Sequence, residues 1–358
     1  MSENYEVKYT LFDSLAEMLS PDTLSNLLGY SVSDVTCRPF ENTNGFSGNQ
    51  LFYVEADMHK LVLKRMRQAV DWISICTNDH RCRSIRIWQY GLLDLIRPHM
   101  QHAILAASRD ADDFAILMQD VSDGLISNGQ EITPQMVYPM LDALARMHAI
   151  FWEDEKLKAV ELGLNDIQAI IPFGWPTQWD RYPHAREIVA LMKQGWEVLF
   201  ELVEPDVRQA LQWIMDDPQP LYDTLAKYPS TLIHSDYRLD NLAWMADARD
   251  LVVFDWQFAG YAPATVCMCW FVMSGGLFDK QWEYVEYYRQ RLSNYLGDHF
   301  DPGLWQPLLE LGCLVDVLRK GNWHAYFSVT GEDEAYKAHM RKSVDSYNDL
   351  VRKGLEWI

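Results

Sequence analysis

Two short apolar segments, each followed directly by polar side chains, place the strongest constraint on how this chain of 358 residues folds. Residues 231–234 (TLIH) and 251–254 (LVVF) are too short for helices, and their composition predicts β-strands. Asp236 and Asn241 follow the first strand, and Asp255 follows the second. Because a strand end fixes a side chain and still leaves it exposed, the pattern predicts a polar functional site.

The residue types in this pattern suit phosphoryl transfer to an alcohol. That reaction needs a carboxylate to orient the hydroxyl group and take its proton, and Asp236 suits this role. It also needs oxygen ligands for Mg²⁺, and Asn241 and Asp255 suit that role. Arg238 is a candidate to neutralise charge on the transferred group. The alternative is that these are ordinary turn and capping residues. The presence of such a polar set after each of two strands disfavours that alternative.

The rest of the chain predicts an α+β fold with a small β-rich first part and a larger, mostly helical second part. Strands are predicted over 32–40, 51–56, 60–66 and 115–121, with a helix over 80–95. Further helices are predicted over 134–152, 184–203, 205–216, 279–296, 303–320 and 333–354. The join falls near residues 120–130, where we expect a ligand site.

Charge and composition exclude several classes of protein. The 31 Lys and Arg residues against 51 Asp and Glu give a net charge of −20, which disfavours nucleic acid or an anionic membrane as partner. No apolar run approaches the ~20 residues that span a bilayer, and the first residues lack a signal-peptide pattern. The six cysteines lack zinc-ligand spacing, so we expect reduced thiols and a cytoplasmic protein. Oligomeric state stays open.

The run HSDYRLDN at 234–241, followed by VVFDWQ at 252–257, resembles the aminoglycoside phosphotransferase and choline kinase family. Within that family, the ecdysteroid-kinase-like branch looks nearest. The resemblance covers nearly the whole chain and implies a two-lobed protein-kinase-like fold. It implies an N-lobe over residues 1–121 and a helical C-lobe with the catalytic loop and acceptor pocket over residues 122–358.

This resemblance also implies ATP and Mg²⁺ as cofactors and assigns roles to the polar residues. Asp236 matches the catalytic aspartate, and Arg238 stands where a lysine or histidine often stands. Asn241 and Asp255 match the metal-binding pair. His234 matches a histidine that supports the backbone of the loop and does not react.

The family also places a phosphate-covering loop between two N-terminal strands. The turn-rich segment after residue 40 fits that position, and its glycines would let backbone N–H groups approach phosphate oxygens. An ordinary hairpin turn is an equally good interpretation. The candidate nucleotide-binding residues in this loop are Asn44, Gly45, Ser47 and Gly48.

Two further nucleotide contacts follow from the resemblance. Lys64 matches the strand lysine that contacts the phosphates, and Lys60 or Arg65 is the alternative for this role. The simpler interpretation is that Lys64 is an exposed strand lysine without a binding role. The strand at 115–121 resembles the one that leads into the hinge, where adenine would be held by backbone groups of Gln119 and Val121.

The chain departs from the family pattern at two points. The strand lysine normally pairs with a helix glutamate, but no glutamate occurs between residues 55 and 131, and Ser84 falls at the expected position. The nearby acids are Asp71, Asp79 and Asp94. An aspartate that often anchors the catalytic loop is also missing, because the segment 261–271 contains no acid.

The predicted function is therefore an ATP-dependent phosphotransferase that moves the γ-phosphate to a hydroxyl group of a small molecule. The two departures support an alternative, a catalytically weak kinase-like module that binds nucleotides. A metal-dependent phosphohydrolase using the same acids is a third possibility. The acceptor stays open among steroids, hydroxyacyl groups, amino alcohols and aminoglycosides, as does the choice between ATP and GTP.

Overall fold

The computed structural model describes residues 4–40, 47–126, 131–181, 185–245, 250–273 and 275–358. The chain divides into two compact units. Unit 1 is drawn from residues 1–128, 158–163 and 239–257. Unit 2 is drawn from residues 129–157, 164–238 and 258–358. The lobe boundary expected after residue 121 stays a prediction.

The strands lie mostly in unit 1, which holds all of them except β7 and β10. In chain order they are β1 (Val35–Phe40), β2 (Gln50–Ala56), β3 (His59–Met66), β4 (Met100–Gln101), β5 (Ile104–Asp110), β6 (Asp113–Gln119), β7 (Thr231–Ile233), β8 (Leu242–Trp244), β9 (Leu251–Val253) and β10 (Gly260–Ala262).

Unit 1 contains the first five helices and unit 2 the others. They are α1 (Leu15–Met18), α2 (Pro21–Leu28), α3 (Trp72–Cys76), α4 (Arg83–Gln89), α5 (Leu92–Leu95), α6 (Pro134–Ile150), α7 (Ile167–Ile170), α8 (Arg186–Leu202), α9 (Pro205–Asp216), α10 (Gln219–Leu225), α11 (Ala264–Val272), α12 (Gln281–Leu296), α13 (Trp305–Thr330) and α14 (Glu334–Leu355). This distribution confirms the predicted α+β class, with a β-rich part and a larger helical part.

The main sheet of unit 1 is antiparallel, with strand order β1-β2-β3-β6-β5. Alternation along β3 buries Leu61 and Leu63 in a core that includes Val54 and Leu117. Lys64 therefore points to the opposite face of the sheet from those leucines. The register of β2 and β3 places Lys64 opposite Leu51.

A second, three-stranded sheet in unit 1 brings the segments around Asn241 and Asp255 together. Strand β9 pairs parallel with β4 and antiparallel with β8. The β8–β9 register sets Leu242 opposite Val253, and the N–H of Phe254 donates to the carbonyl of Asn241 at 3.2 Å. Asn241 and Asp255 therefore flank the same end of this strand pair.

Unit 2 is organised around α13, which packs against α8, α11 and α14. This helix runs to residue 330, ten residues beyond the predicted end at 320, because its apolar positions continue to meet neighbouring helices. The predicted helix over 80–95 is instead broken into α4 and α5. The break lies at Gly91, whose φ of 69° leaves the right-handed helical region.

Helices α8 and α13 approach so closely at Gly195 that a side chain there has no room. A Cβ atom built on Gly195 would lie 2.2 Å from the backbone oxygen of Asn322. Among the described residues, no helix is both long enough and apolar enough to cross a bilayer.

We expect Gly195→Ala to lower the melting temperature, although glycine-to-alanine changes inside helices usually stabilise by about 1 kcal/mol. The added methyl group forces the helices apart, and such overpacking costs about 1–3 kcal/mol. Gln194→Ala, at the neighbouring exposed position of α8, is the matched control and should be nearly neutral. A stabilised Gly195→Ala protein in thermal unfolding would show that the helices do not meet at this glycine.

Candidate active site

Lys64 and Asp255 form an ion pair between two elements of unit 1 that are 191 residues apart in the chain. The Lys64 ammonium lies 2.8 Å from the Oδ1 atom of Asp255. Only 13% of the lysine side chain is exposed, against 37% of the aspartate side chain. The pair is therefore sheltered on the lysine side and open to a ligand on the carboxylate side.

The electrostatic surroundings keep Lys64 protonated. Burial lowers the pKa of its ammonium group, but attraction to Asp255, the hydrogen bond to it and attraction to Asp71 outweigh that effect. The net pKa is raised, so the side chain carries its positive charge at neutral pH.

Asp71 connects three segments around this pair. Its Oδ1 atom accepts hydrogen bonds from the N–H groups of Ile73 and Ser74 and so caps α3. Its Oδ2 atom accepts from the side-chain amides of Asn49 and Gln257. Asn49 directly precedes β2, and Gln257 lies two residues after Asp255, so one buried carboxylate holds both segments.

The side chain of Asp71 is completely buried, and this burial raises the pKa of its carboxyl group despite the hydrogen bonds from Asn49 and Gln257. We name Lys64, Asp71, Asp255 and Gln257 together the Lys64 cluster. All four residues belong to unit 1.

The acids near the position of the missing helix glutamate have other partners or no direct contact with Lys64. Asp79 receives the N–H of Arg83 at the start of α4, and Asp94 pairs with Lys8. Ser84 is buried within α4. Among the described acids, Asp255 forms the ion pair with Lys64, and Asp71 adds attraction without direct contact.

The residues that flank the end of the β8–β9 pair fit a magnesium ion by their donor chemistry. Asn241 offers an amide oxygen and Asp255 a carboxylate, both hard oxygen donors. In the described part of the chain, no group of three or more His, Cys, Asp and Glu side chains could hold a metal. Mg²⁺ usually takes only one or two protein carboxylates and completes its ligands with water and phosphate oxygens, so a site with one carboxylate and one amide suits it.

The described part of the predicted phosphate loop consists of Ser47 and Gly48. Gly48 has a φ of 83°, a conformation that favours glycine, and it directly precedes Asn49 in the Asp71 network. The Ser47 hydroxyl accepts a hydrogen bond from the N–H of Asn49 at 3.4 Å. The other two predicted residues of this loop, Asn44 and Gly45, lie outside the described residues.

The predicted hinge follows β6, which ends at Gln119. The N–H of Gln119 donates to the carbonyl of Ala103 at 2.8 Å, so only its carbonyl group is a candidate for a nucleotide contact. Val121 and Met118 pack against a small apolar cluster of unit 1. The buried members of that cluster are Ala103, Ala243 and Val252.

Asp236 lies in unit 2, in the segment that follows β7. Ser235 has a φ of 64°, and the next N–H, that of Asp236, donates to Nδ1 of the buried His234 at 3.3 Å. His234 thus supports the loop backbone. Arg238 lies close to the candidate base, with its Nε atom 3.4 Å from Oδ1 of Asp236.

Two residues that sequence reasoning missed hold this loop where an anchoring aspartate was expected. Arg319 of α13 donates to the carbonyl of Ser235 at 2.8 Å, and its guanidinium lies 4.3 Å from the centre of the Trp270 ring. Cys267 of α11 is buried beside this loop: burial raises the pKa of its thiol to about 11, while the nearby backbone N–H groups of Ser235 and His234 lower it. No short motif points to either contact, because Arg319 lies 84 residues from Ser235.

Residues 48–273 match the phosphotransferase enzyme family, APH. Because this match spans more than half of the chain, the protein belongs to that family, as the sequence motifs predicted. Assignment to the ecdysteroid-kinase-like branch stays a prediction. No curated protein matches the chain in sequence.

Several solved structures resemble the chain over most of its length. A putative aminoglycoside phosphotransferase from Ralstonia eutropha JMP134 is 16% identical, with 91% of this chain and 92% of that chain covered and a TM-score of 0.48. A microcompartment-associated aminopropanol kinase is 15% identical, with coverage of 95% and 100% and a TM-score of 0.49. Plasmodium vivax ethanolamine kinase is 14% identical, with coverage of 88% and 82% and a TM-score of 0.49. Likenesses at this level assign neither a substrate nor residue roles.

We expect Asp71→Ala to destabilise the protein by about 2–4 kcal/mol. Loss of the helix cap costs about 1 kcal/mol, and the unpaired amides of Asn49 and Gln257 add about 1–3 kcal/mol. Asp333→Ala is the control, because Asp333 is an exposed carboxylate that caps the start of α14 by accepting from the N–H of Tyr336. Equal losses of melting temperature in the two variants would mean that Asp71 acts only as a cap.

Proposed function

We propose that this protein is an ATP-dependent phosphotransferase that moves the γ-phosphate to a hydroxyl group of a small molecule. The observation that carries the proposal is the Lys64–Asp255 ion pair in a chain of the phosphotransferase family. A charged strand lysine next to a partly exposed carboxylate is the arrangement needed to bind phosphate and metal together.

In this proposal the nucleotide phosphates bind at the Lys64 cluster. The Lys64 ammonium contacts phosphate oxygens, and backbone N–H groups of the loop containing Asn44, Gly45, Ser47 and Gly48 cover them. Because Asp71 fixes the segment that follows Gly48, the loop enters β2 from a defined position.

The adenine base would be held by backbone groups after β6. The carbonyl of Gln119 and the N–H of Val121 have the polarity to pair with the edge of a purine, and Met118 offers an apolar surface beside the ring. Backbone contacts of this kind do not by themselves exclude GTP.

Asn241 and Asp255 would hold Mg²⁺. The ion would supply positive charge to neutralise the phosphate oxygens during transfer. The chain's own contribution is to fix these two donors at one end of the β8–β9 pair and to keep Lys64 charged beside them.

Asp236 would act on the acceptor. Its carboxylate orients the hydroxyl group and takes its proton, so that the hydroxyl oxygen attacks the γ-phosphorus as the bond to the departing ADP oxygen breaks. Arg238, within 3.4 Å of Asp236, would stabilise the charge of the transferred group. Catalysis of this type consists mainly of positioning and electrostatic stabilisation.

Asp255→Ala should abolish the Mg²⁺-dependent part of ATP binding, because it removes both the metal carboxylate and the partner of Lys64. The measurement is the thermal shift caused by ATP or GTP, with and without Mg²⁺. Asp250→Ala, at the other end of β9, is the control and should respond like the wild type. A Mg²⁺-dependent shift that survives in Asp255→Ala would remove this residue from the metal site.

Asp236→Asn should lower turnover by about 10²–10⁴-fold while ATP binding persists, because the amide cannot take the hydroxyl proton. ADP release is measured against a panel of amino alcohols, aminoglycosides, hydroxysteroids and hydroxyacyl compounds. Asp223→Asn, an exposed position of unit 2, is the control.

The same assay separates the competing functions. Full turnover in Asp236→Asn would show that this aspartate is not the base. Phosphate release without any acceptor would indicate a phosphohydrolase, and Mg²⁺-dependent ATP binding without transfer to any compound would indicate a nucleotide-binding module.

A further inference from the structure

A concave surface of unit 1 collects positive charge from residues that are not part of the Lys64 cluster. The cavity has a volume of about 210 Å³ and involves the start of α4 and the β5–β6 hairpin. We name it the arginine groove. Its lining residues are Arg81, Arg86, Arg109, His80, Gln89, Phe114 and Leu11.

The three arginines of this groove have no carboxylate partner in the part of the chain that the structure describes. Within the described residues, Arg86 donates to three neutral groups, namely the carbonyl of Glu161, the amide oxygen of Gln89 and the hydroxyl of Tyr90. In a chain with a net charge of −20, three grouped cations without an anionic partner are unexpected.

Three of the acids close in sequence to these arginines are engaged elsewhere. Asp110 pairs with Arg65, and Asp113 accepts the N–H of Gln68. Asp79 accepts the N–H at the start of α4. The fold thus directs these three carboxylates to other partners, and Asp112, exposed in the β5–β6 turn, forms no ion pair with the groove arginines within the described residues.

Part of the groove is fixed in advance. Three hydrogen bonds hold the Arg86 guanidinium, which also lies 4.9 Å from the centre of the Tyr90 ring. The Arg109 guanidinium lies 4.9 Å from the centre of the Phe114 ring. Guanidinium groups held on aromatic rings lose little freedom when they bind an anion, and their planar N–H pattern matches the oxygens of a phosphate.

The size of the cavity argues for a small molecule. A water molecule needs only about 10–15 Å³ of such space, so 210 Å³ accommodates an anion much larger than a single water. Concave sites suit compact ligands, whereas macromolecular interfaces are usually broad.

We propose that the arginine groove is a binding site for a small phosphate-bearing anion, separate from the nucleotide site. Arg81 and Arg109 supply exposed charge, Arg86 supplies charge held by three hydrogen bonds, and Phe114 and Leu11 contact the organic part of the ligand. This inference does not depend on the proposed phosphotransferase activity, because it concerns residues that the reaction does not use.

Isothermal titration of the full chain with pyrophosphate, in EDTA and without nucleotide, tests the proposal. The variant is Arg81→Gln combined with Arg109→Gln, and the control is Arg38→Gln, an exposed arginine of the same unit that pairs with Glu55. We expect the double variant to bind at least about tenfold more weakly and the control to stay within about twofold of the wild type. Arg109→Lys should retain part of the affinity because it keeps the charge.

Three results would overturn the proposal. They are no binding of pyrophosphate to the wild type, equal affinity in the double variant and the wild type, and citrate binding as tight as pyrophosphate. The second would place the anion at another site, and the third would mean that the groove selects charge and not phosphate. Melting temperatures without ligand confirm that the variants, whose changed side chains are exposed, remain folded.

Discussion

The ammonium group of Lys64 is a charge that the fold removes almost completely from water, and the surrounding structure must compensate for it. Burial of an unpaired cation is strongly unfavourable, whereas a paired and hydrogen-bonded one is tolerated. Asp255 provides the direct partner at 2.8 Å, and Asp71 adds a second negative charge. The position of β9 relative to β3 in unit 1 is thereby tied to a requirement for charge balance.

This arrangement bears directly on the role proposed for Asp255. As the partner of Lys64, it uses its Oδ1 atom. If it also binds Mg²⁺ as proposed, a phosphate group can balance part of the positive charge of Lys64 in its place, because phosphate and carboxylate are both anions. A helix glutamate would hold the lysine independently of the metal. Under this proposal the lysine and the metal ligand depend on each other, so charge balance at Lys64 becomes sensitive to the bound ligand.

The local pattern of the sequence predicted those parts of the site that depend on strand geometry. Alternation alone places Lys64 on the face opposite Leu61 and Leu63, and the strands ending near 233 and 253 lie where short apolar runs indicated them. The Asp71 network was not predictable, because it depends on the side chains of Asn49 and Gln257 meeting in three dimensions. The break at Gly91 was also missed, since helical periodicity does not report a left-handed residue.

The contacts of the Asp236 loop illustrate why distant supports escape sequence analysis. Arg319 is a buried cation on a helix that otherwise appears as a core element, and burial lowers the pKa of its guanidinium to about 10. The side chain still remains charged at neutral pH, because its pKa lies well above that range and Asp236 attracts it.

That charge is stabilised by the Trp270 ring and by one hydrogen bond to the carbonyl of Ser235, whose backbone adopts a left-handed conformation. A non-glycine residue in this conformation persists only where its surroundings hold it. Burial of Arg319 and the strain at Ser235 both cost free energy, and the hydrogen bond and the ring contact offset part of that cost where the backbone that carries Asp236 is held. An apolar residue in place of Arg319 would fill the core equally well but would leave the Ser235 carbonyl without its donor.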